Sequence, residues 1–135
     1  VFYDANEAQI SGHTNRSDST NYASVFEGFN WHVQEINGHD HDALRDAIEK
    51  AQVMEKPSII IGNTIMAHGT ATREGDHNTH GAPLPQDEID ATKEKLGLAP
   101  EPFYFPEEVK DHFQSRFEIL HTTVADWKAQ LSNCR

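Results

Sequence analysis

Three groups of side chains have the types and spacing to do chemistry. The first is Asp4-Ala5-Asn6-Glu7-Ala8, a polar turn that follows the apolar Val1-Phe2-Tyr3. Where a strand unravels, an Asn side-chain oxygen and a backbone carbonyl two residues on can face the same way. Both are hard oxygen donors of the kind that Mg²⁺ and Ca²⁺ take. The competing reading is a turn whose Asn bonds its own backbone. The second group is His68, His77 and His80 in one Gly-rich stretch, with Asp76 beside His77. Three imidazoles in a loop can ligate zinc, or line a pocket that handles anions and moves protons. Exposed loop histidines with no site are the alternative. The third group, His39-Asp40-His41-Asp42, has the composition of a metal cluster. Here a structural role is expected, because Asp40 is placed to cap a helix and Asp42 to occupy its first turn. His13, His32, His112 and His121 are read as structural or solvated. Cys134 has no activating neighbour in sequence and receives no role.

These groups need elements to position them. Val1-Phe2-Tyr3 reads as a short buried strand, and Glu7 to Ser19 as a long polar loop. Tyr22, Val25, Phe26 and Phe29 recur at i, i+3, i+4 and i+7, one buried helix face. Trp31 to Ile36 alternates apolar and polar residues as a strand does, and Asn37-Gly38 closes it. Asp40 opens a helix with Leu44, Ala47, Ile48 and Ala51 on its apolar face, broken at Lys56-Pro57. Ser58 to Ile65 is a β-branched run typical of a strand covered on both faces. Strand, helix, strand, helix, strand with long crossovers predicts βαβαβ and a parallel, right-handed α/β sheet. Met66 to Leu84 is then a long loop after a strand C-terminus, the edge where open α/β sheets bind ligands. Pro85 to Leu96 reads as a short helix stopped by Gly97. Pro100 and Pro102 mark an extended connector. A long amphipathic helix from Pro106 to Ser132 follows, striped by Val109, Phe113, Phe117, Leu120, Val124, Trp127 and Leu131. The expected division is an α/β part over 1–105 and a C-terminal helix over 106–135 that packs on it.

Composition narrows the function. The 135 residues include 22 acidic and 11 basic side chains, a net charge of −11. That argues against nucleic acid or an anionic membrane surface as the main partner. No apolar run approaches the roughly 20 residues that span a bilayer. One cysteine makes no internal disulfide, so a reducing cytoplasm is the default. At 36% hydrophobic residues the chain is lean for a self-contained globule, and it opens on Val inside an apolar stretch. Both suggest a piece of something larger.

Several motifs carry a family resemblance. Val1-Phe2-Tyr3-Asp4-Ala5-Asn6, Gln9-Ile10-Ser11-Gly12-His13-Thr14, and Phe29-Asn30-Trp31-His32-Val33 with Asn37-Gly38-His39-Asp40 resemble transketolase. So do Lys56 to Ile61 leading to Thr64-Ile65, and above all Gly75-Asp76-His77-Asn78-Thr79-His80-Gly81-Ala82-Pro83-Leu84. Pro106-Glu107-Glu108-Val109 is also similar to the family. The likeness runs in order over about residues 1–117. His-Gly-Ala-Pro-Leu separates it from related thiamine diphosphate synthases that share the strand-end Asn.

The resemblance implies the C-terminal half of a thiamine diphosphate-binding domain, hence a thiamine diphosphate-binding fold present only in part. The family's metal motif runs from Gly-Asp-Gly to a closing Asn, which Asn6 matches; the Gly-Asp-Gly half would lie upstream of Val1. By resemblance, Asn6 gives its side-chain oxygen, and Ala8 its backbone carbonyl, to the Mg²⁺ or Ca²⁺ that bridges the cofactor's diphosphate. His80 matches a histidine that contacts the diphosphate region and the substrate near its reacting carbon. Met66 matches a residue packing near the cofactor. Departures occur at Asn63, where Lys or Arg is frequent, and at Ala67-His68, so His68 inherits no role. The implied activity is transfer of a two-carbon ketol unit between sugar phosphates of the pentose phosphate pathway. It belongs to a cytoplasmic homodimer whose other chain regions complete the site, so the 135 residues alone are expected to be inactive. Two readings from other classes compete: a small metal module built on His68, His77 and His80, and an interaction domain built on the last helix.

Overall fold

The structure is a computed structural model and describes residues 1–134. It divides into two compact units, the first running from Val1 to Leu98 and the second beginning at Ala99.

The first unit is built on three parallel strands: β1 (Phe2–Ala5), β4 (His32–Asn37) and β5 (Ser58–Asn63), in the order β1-β5-β4. Two short strands, β2 (Ala8–Gln9) and β3 (Gly12–His13), pair antiparallel beside them. The crossovers are α1 (Tyr22–Gly28), between β1 and β4, and α2 (His41–Val53), between β4 and β5. This is the βαβαβ order expected from the alternating patterns. The register sets Phe2 opposite Ile60 and Gln34 opposite the same residue on the other side.

β5 holds the centre because it pairs on both edges and carries the β-branched run. Ile59, Ile60 and Ile61 are 2%, 5% and 6% exposed and form the core with Ala47 of α2. Phe2 lies over Gly62, where a Cβ would come within 2.4 Å of its ring. Gln34 donates through Nε2 to the Ala47 carbonyl at 2.9 Å and ties α2 to the sheet. Both crossover helices start as their sequences dictate. Asn21 accepts from the Ser24 amide at 2.9 Å, and Asp40 accepts from the Asp42 and Ala43 amides at 3.0 Å each. Caps of this kind each contribute about 1 kcal/mol. The structural reading of the 39–42 cluster therefore holds for Asp40 and Asp42.

Two expectations need correction. The first strand is not buried: Val1 is 71% and Phe2 48% exposed. Among the described residues β1 pairs on one side only, with β5, and an open apolar hollow of about 610 Å³ lies beside it, lined by Val1, Phe2, Leu44, Ile48 and Ile60 among others. The 7–19 segment is not all loop either. It holds the β2–β3 hairpin and a 3₁₀ turn over Thr14–Arg16, because Gly12 takes a φ of +132° that lets the chain double back.

A third helix, α3 (Gln86–Leu96), follows the 66–84 loop and stops at Gly97, which takes the left-handed φ of +66°. The second unit contains the 27-residue helix α4 (Glu107–Asn133), with Glu107 and Glu108 in its first turn. Its expected apolar stripe is present and exposed, with Phe113, Phe117, Val124 and Trp127 each near half accessible. Among the described residues, no helix is long and apolar enough to cross a membrane.

Candidate functional site at the strand ends

The C-terminal ends of β1, β4 and β5 carry the polar residues singled out above. Asn6 follows β1 directly. Its Oδ1 accepts from the Ala8 amide at 3.0 Å, the self-bonded turn weighed against the ligand reading. Its Nδ2 donates to Asp4 Oδ2 at 3.0 Å. A carboxylate only accepts and a backbone amide only donates, so the two partners fix which way the Asn6 amide faces. One acceptor site remains on Oδ1.

The Ala8 carbonyl is set by the hairpin. Thr14 donates to the Glu7 carbonyl at 3.0 Å, and Ala8 lies opposite His13. Bonded and non-bonded pairs alternate along an antiparallel ladder. Ala8 falls in a non-bonded pair, so its carbonyl turns away from β3. The self-bonded turn and an outward-facing donor pair therefore coexist. Glu7, between the two residues, has a φ of +55°. A non-glycine left-handed residue costs on the order of 1 kcal/mol and clusters at functional sites.

Asp4 is itself held from β5. Thr64 Oγ1 hydrogen-bonds Asp4 Oδ1, and the Thr64 amide donates to the Ala5 carbonyl at 3.3 Å. Gly38, at the end of β4, lets this happen. A Cβ there would meet Thr64 Cγ2 at 2.5 Å, so any side chain would displace the threonine. Three strand ends thus converge on the orientation of one amide.

His39 does more than precede a cap. Its Nε2 accepts from the Ile65 amide at 2.8 Å, which fixes the chain just before Met66. Its ring stacks on His68, with centroids 3.9 Å apart and planes at 29°. His68 Nδ1 lies 3.0 Å from Glu74 Oε1, and Glu74 also accepts from the Gly69 amide at 3.3 Å. The contact with His68 lowers the Glu74 carboxyl below its ordinary value, helped by the Gly69 amide. Met66 is half-buried and its carbonyl accepts from Gly75 at 2.8 Å. Ala67, next to it, is the second strand-end residue with a left-handed φ, +53°.

His77 and His80 lie elsewhere in the same loop. His77 opens a 3₁₀ turn (His77–Thr79), and its ring is 6.3 Å from that of His13 on β3. That contact sets the turn against the hairpin bearing Ala8. Asp76 caps the turn through the Asn78 amide at 2.9 Å and accepts from Arg73 at 3.0 Å. Its carboxyl is held below the usual range by the Asn78 amide first, with the Asn78 side chain and Arg73 adding to it. His80 closes the turn, donates its amide to the His77 carbonyl at 3.1 Å, and has an exposed side chain. The three loop histidines do not form one cluster. Among the described residues, no three His, Cys, Asp or Glu side chains are grouped to hold a metal.

Sequence reasoning missed the partners on α3. Glu88 accepts from the Thr72 amide at 2.7 Å and from Thr72 Oγ1 at 2.6 Å. Thr92 Oγ1 accepts from the Ala71 amide at 3.0 Å, and Lys95 Nζ donates to the Thr70 carbonyl at 2.7 Å. The signal was available: Glu88, Thr92 and Lys95 stand at i, i+4 and i+7, a polar stripe on one helix face.

An open parallel sheet with polar turns gathered at the strand C-termini has the architecture in which α/β domains bind ligands, and Asn6, Thr64 and Met66 lie at that edge. The match to known proteins is more specific. A family model described as "Transketolase, thiamine diphosphate binding domain" matches residues 1–135, and the chain belongs to the transketolase family. A Sinorhizobium medicae transketolase is 42% identical over all 135 residues, which are 19% of its own length. A crystal structure of a Campylobacter jejuni transketolase superposes with a TM-score of 0.89 and 36% identity, covering 97% of this chain and 21% of that one. A Pichia stipitis transketolase solved with sedoheptulose-7-phosphate superposes with a TM-score of 0.85 and 29% identity, over 94% of this chain and 19% of that one. The chain therefore spans about a fifth of the length of these relatives.

Proposed function

We propose that these residues supply part of the cation and diphosphate site of a thiamine diphosphate-dependent transketolase, and that they work within a longer chain. Asn6 Oδ1 and the Ala8 carbonyl are the cation ligands. They fit the role on their own chemistry: two hard oxygens, one of them aimed by Asp4 and the other turned out of its ladder. Mg²⁺ or Ca²⁺ would be held through them together with oxygens from outside these residues. Met66 packs near the cofactor from the end of β5, and His80 contacts the diphosphate region and the substrate.

Thiamine diphosphate, when bound, supplies the electron sink for transfer of a two-carbon ketol unit between sugar phosphates. The chain's own residues orient and move protons around it. An imidazole at His80 can hydrogen-bond a substrate hydroxyl and pass a proton. The net charge of −11 leaves phosphate recognition to a cation rather than to a basic surface. The Pichia stipitis relative solved with sedoheptulose-7-phosphate supports the substrate class. On this reading the complete enzyme is a cytoplasmic homodimer that acts in the pentose phosphate pathway. In this reading residues 1–105 are the partial diphosphate-binding part, and the 106–135 helix leads into the next domain. These 135 residues alone are expected to show no ketol transfer.

The observation that carries the reading is the Asp4–Asn6–Ala8 geometry at the end of β1. Calorimetric titration of thiamine diphosphate into the complete enzyme at rising Mg²⁺ tests it. Asn6→Ala should weaken cation-dependent affinity by about 100-fold. Unchanged affinity would take Asn6 off the ligand set, and ketol transfer by residues 1–135 alone would overturn the need for a longer chain.

A further inference from the structure

Glu88 is 7% exposed and belongs to none of the groups discussed as ligands or acid–base residues. A carboxylate so placed needs compensation, and it finds two donors. Thr72 gives both its amide and its hydroxyl. They come from the middle of the 66–84 loop. Four residues later on the same helix face, Thr92 takes the Ala71 amide, and Lys95 reaches the Thr70 carbonyl. Every backbone group these side chains engage lies within residues 70–72.

The segment so held is directly upstream of the His80 turn. Arg73 adjoins Thr72 in the chain and carries the link onward: its guanidinium donates to Asp76 Oδ2 at 3.0 Å. Its carbonyl accepts from the Asp76 amide at 3.0 Å. Asp76 then starts the 3₁₀ turn by accepting from the Asn78 amide, and its carbonyl takes the Thr79 amide and hydroxyl. His80 is the residue on which that turn ends. Hydrogen bonds thus tie Glu88 to Thr72, and its chain neighbour Arg73 to Asp76 and the turn that ends at His80.

We propose that Glu88 is a positioning residue for His80: its buried carboxylate on α3 fixes Thr72, and through the adjoining Arg73 and its partner Asp76 sets the turn that presents His80 to the substrate. The proposal rests on the reading of His80 as a substrate-contacting residue. It differs from a general packing role in a specific way. Loss of Glu88 should act on the step that needs His80 and leave the Asn6 end of the site alone, because no bond of this set reaches Asp4, Asn6 or Ala8.

The test is a double-mutant cycle in the complete enzyme. Glu88→Ala should lower kcat/KM by tenfold or more, up to about 100-fold, the range a displaced positioning element produces. Mg²⁺-dependent affinity for thiamine diphosphate should stay within about twofold. Placed on top of His80→Ala, the same substitution should lower kcat/KM by no more than about twofold, as coupled residues do. Glu88→Gln should recover most of the loss. Its oxygen still accepts the Thr72 amide, and its NH₂ can donate to Thr72 Oγ1, which rotates to accept. Thr72→Val, which removes one hydroxyl and leaves the amide, should cost about threefold. Hydrogen exchange in Glu88→Ala should quicken over residues 70–80 and stay slow over β5. Equal losses from Glu88→Ala with and without His80 would overturn the proposal, as would a matching loss of cofactor affinity. The two underlying readings fail separately. Wild-type kinetics in His80→Ala would remove His80 from the site, and unchanged exchange over 70–80 in Glu88→Ala would remove Glu88 from the clamp.

Discussion

The Asp4–Ala8 turn and the 66–84 loop both follow strand C-termini and both carry candidate site residues, yet they are held by opposite means. In the turn, the bonds that aim Asn6 reach two residues back to Asp4 and two forward to Ala8. One distant group, Thr64, completes it. In the loop, the holding bonds span 16 residues from Thr72 to Glu88, 21 from Ala71 to Thr92 and 25 from Thr70 to Lys95. A five-residue turn can satisfy its own polar groups. A loop of nearly twenty residues cannot, and its backbone donors and acceptors must be met from another element. A short turn thus aims a ligand with little help, while a long loop needs a helix to give a side chain a fixed place.

If the comparison is right, the two regions should fail independently, and the largest effect should come from the loop. His80→Ala in the complete enzyme is expected to lower kcat/KM by about 100-fold, with Mg²⁺-dependent cofactor affinity falling far less, by about threefold for the lost diphosphate contact. Steady-state kinetics paired with calorimetry would show this, and a matched loss of both quantities would merge the regions into one. Asp4→Ala should do the reverse. With its aiming partner gone, the Asn6 amide turns freely, and cation affinity should weaken by about tenfold while substrate discrimination is kept. Wild-type Mg²⁺ titration of that variant would mean that the Ala8 amide alone aims Asn6.

Two smaller effects sharpen the contrast. Thr64→Val keeps shape and removes the one distant bond in the turn, so cation affinity should fall by about threefold. A drop as large as that of Asp4→Ala would show that the turn depends on β5 after all. The last prediction concerns acid. Glu74, Asp76 and Glu88 all have carboxyls held below their ordinary values of 4.5, 3.8 and 4.5. Their largest causes are the bonds to His68, to the Asn78 amide and to the Thr72 hydroxyl respectively. A lowered folded value contributes stability that is complete above the unfolded value and lost as pH falls through the folded one. The loop should therefore loosen below a pH of about 4.5, before β5 does. Hydrogen exchange by mass spectrometry, corrected for the intrinsic rate at each pH, would read it. Simultaneous loss of protection in β5 would place the loop and the sheet in one cooperative unit.

The apolar periods, the Asp40 cap and the β-branched run were enough to read the order β1-α1-β4-α2-β5, the parallel sheet and the long last helix. These signals are local, because each element needs only its own period and end residues to be recognised. Asn6, Ala8, Met66 and His80 were named through motif resemblance, and the turn chemistry at Asn6 was legible from Asn in a strand-end context. The sequence left three things open that only the tertiary structure decided. Among the described residues β1 pairs with β5 alone, so Val1 and Phe2, apolar and read as buried, are exposed. His39 and His68 stack on each other while His77 goes to His13, so the loop histidines disperse rather than gather. Glu88, Thr92 and Lys95 meet residues 70–72 across 16 or more positions of chain. The physical reason is common to all three. Local pattern states which face of an element is apolar or polar, whereas the partner that meets that face is set by packing between segments far apart in sequence.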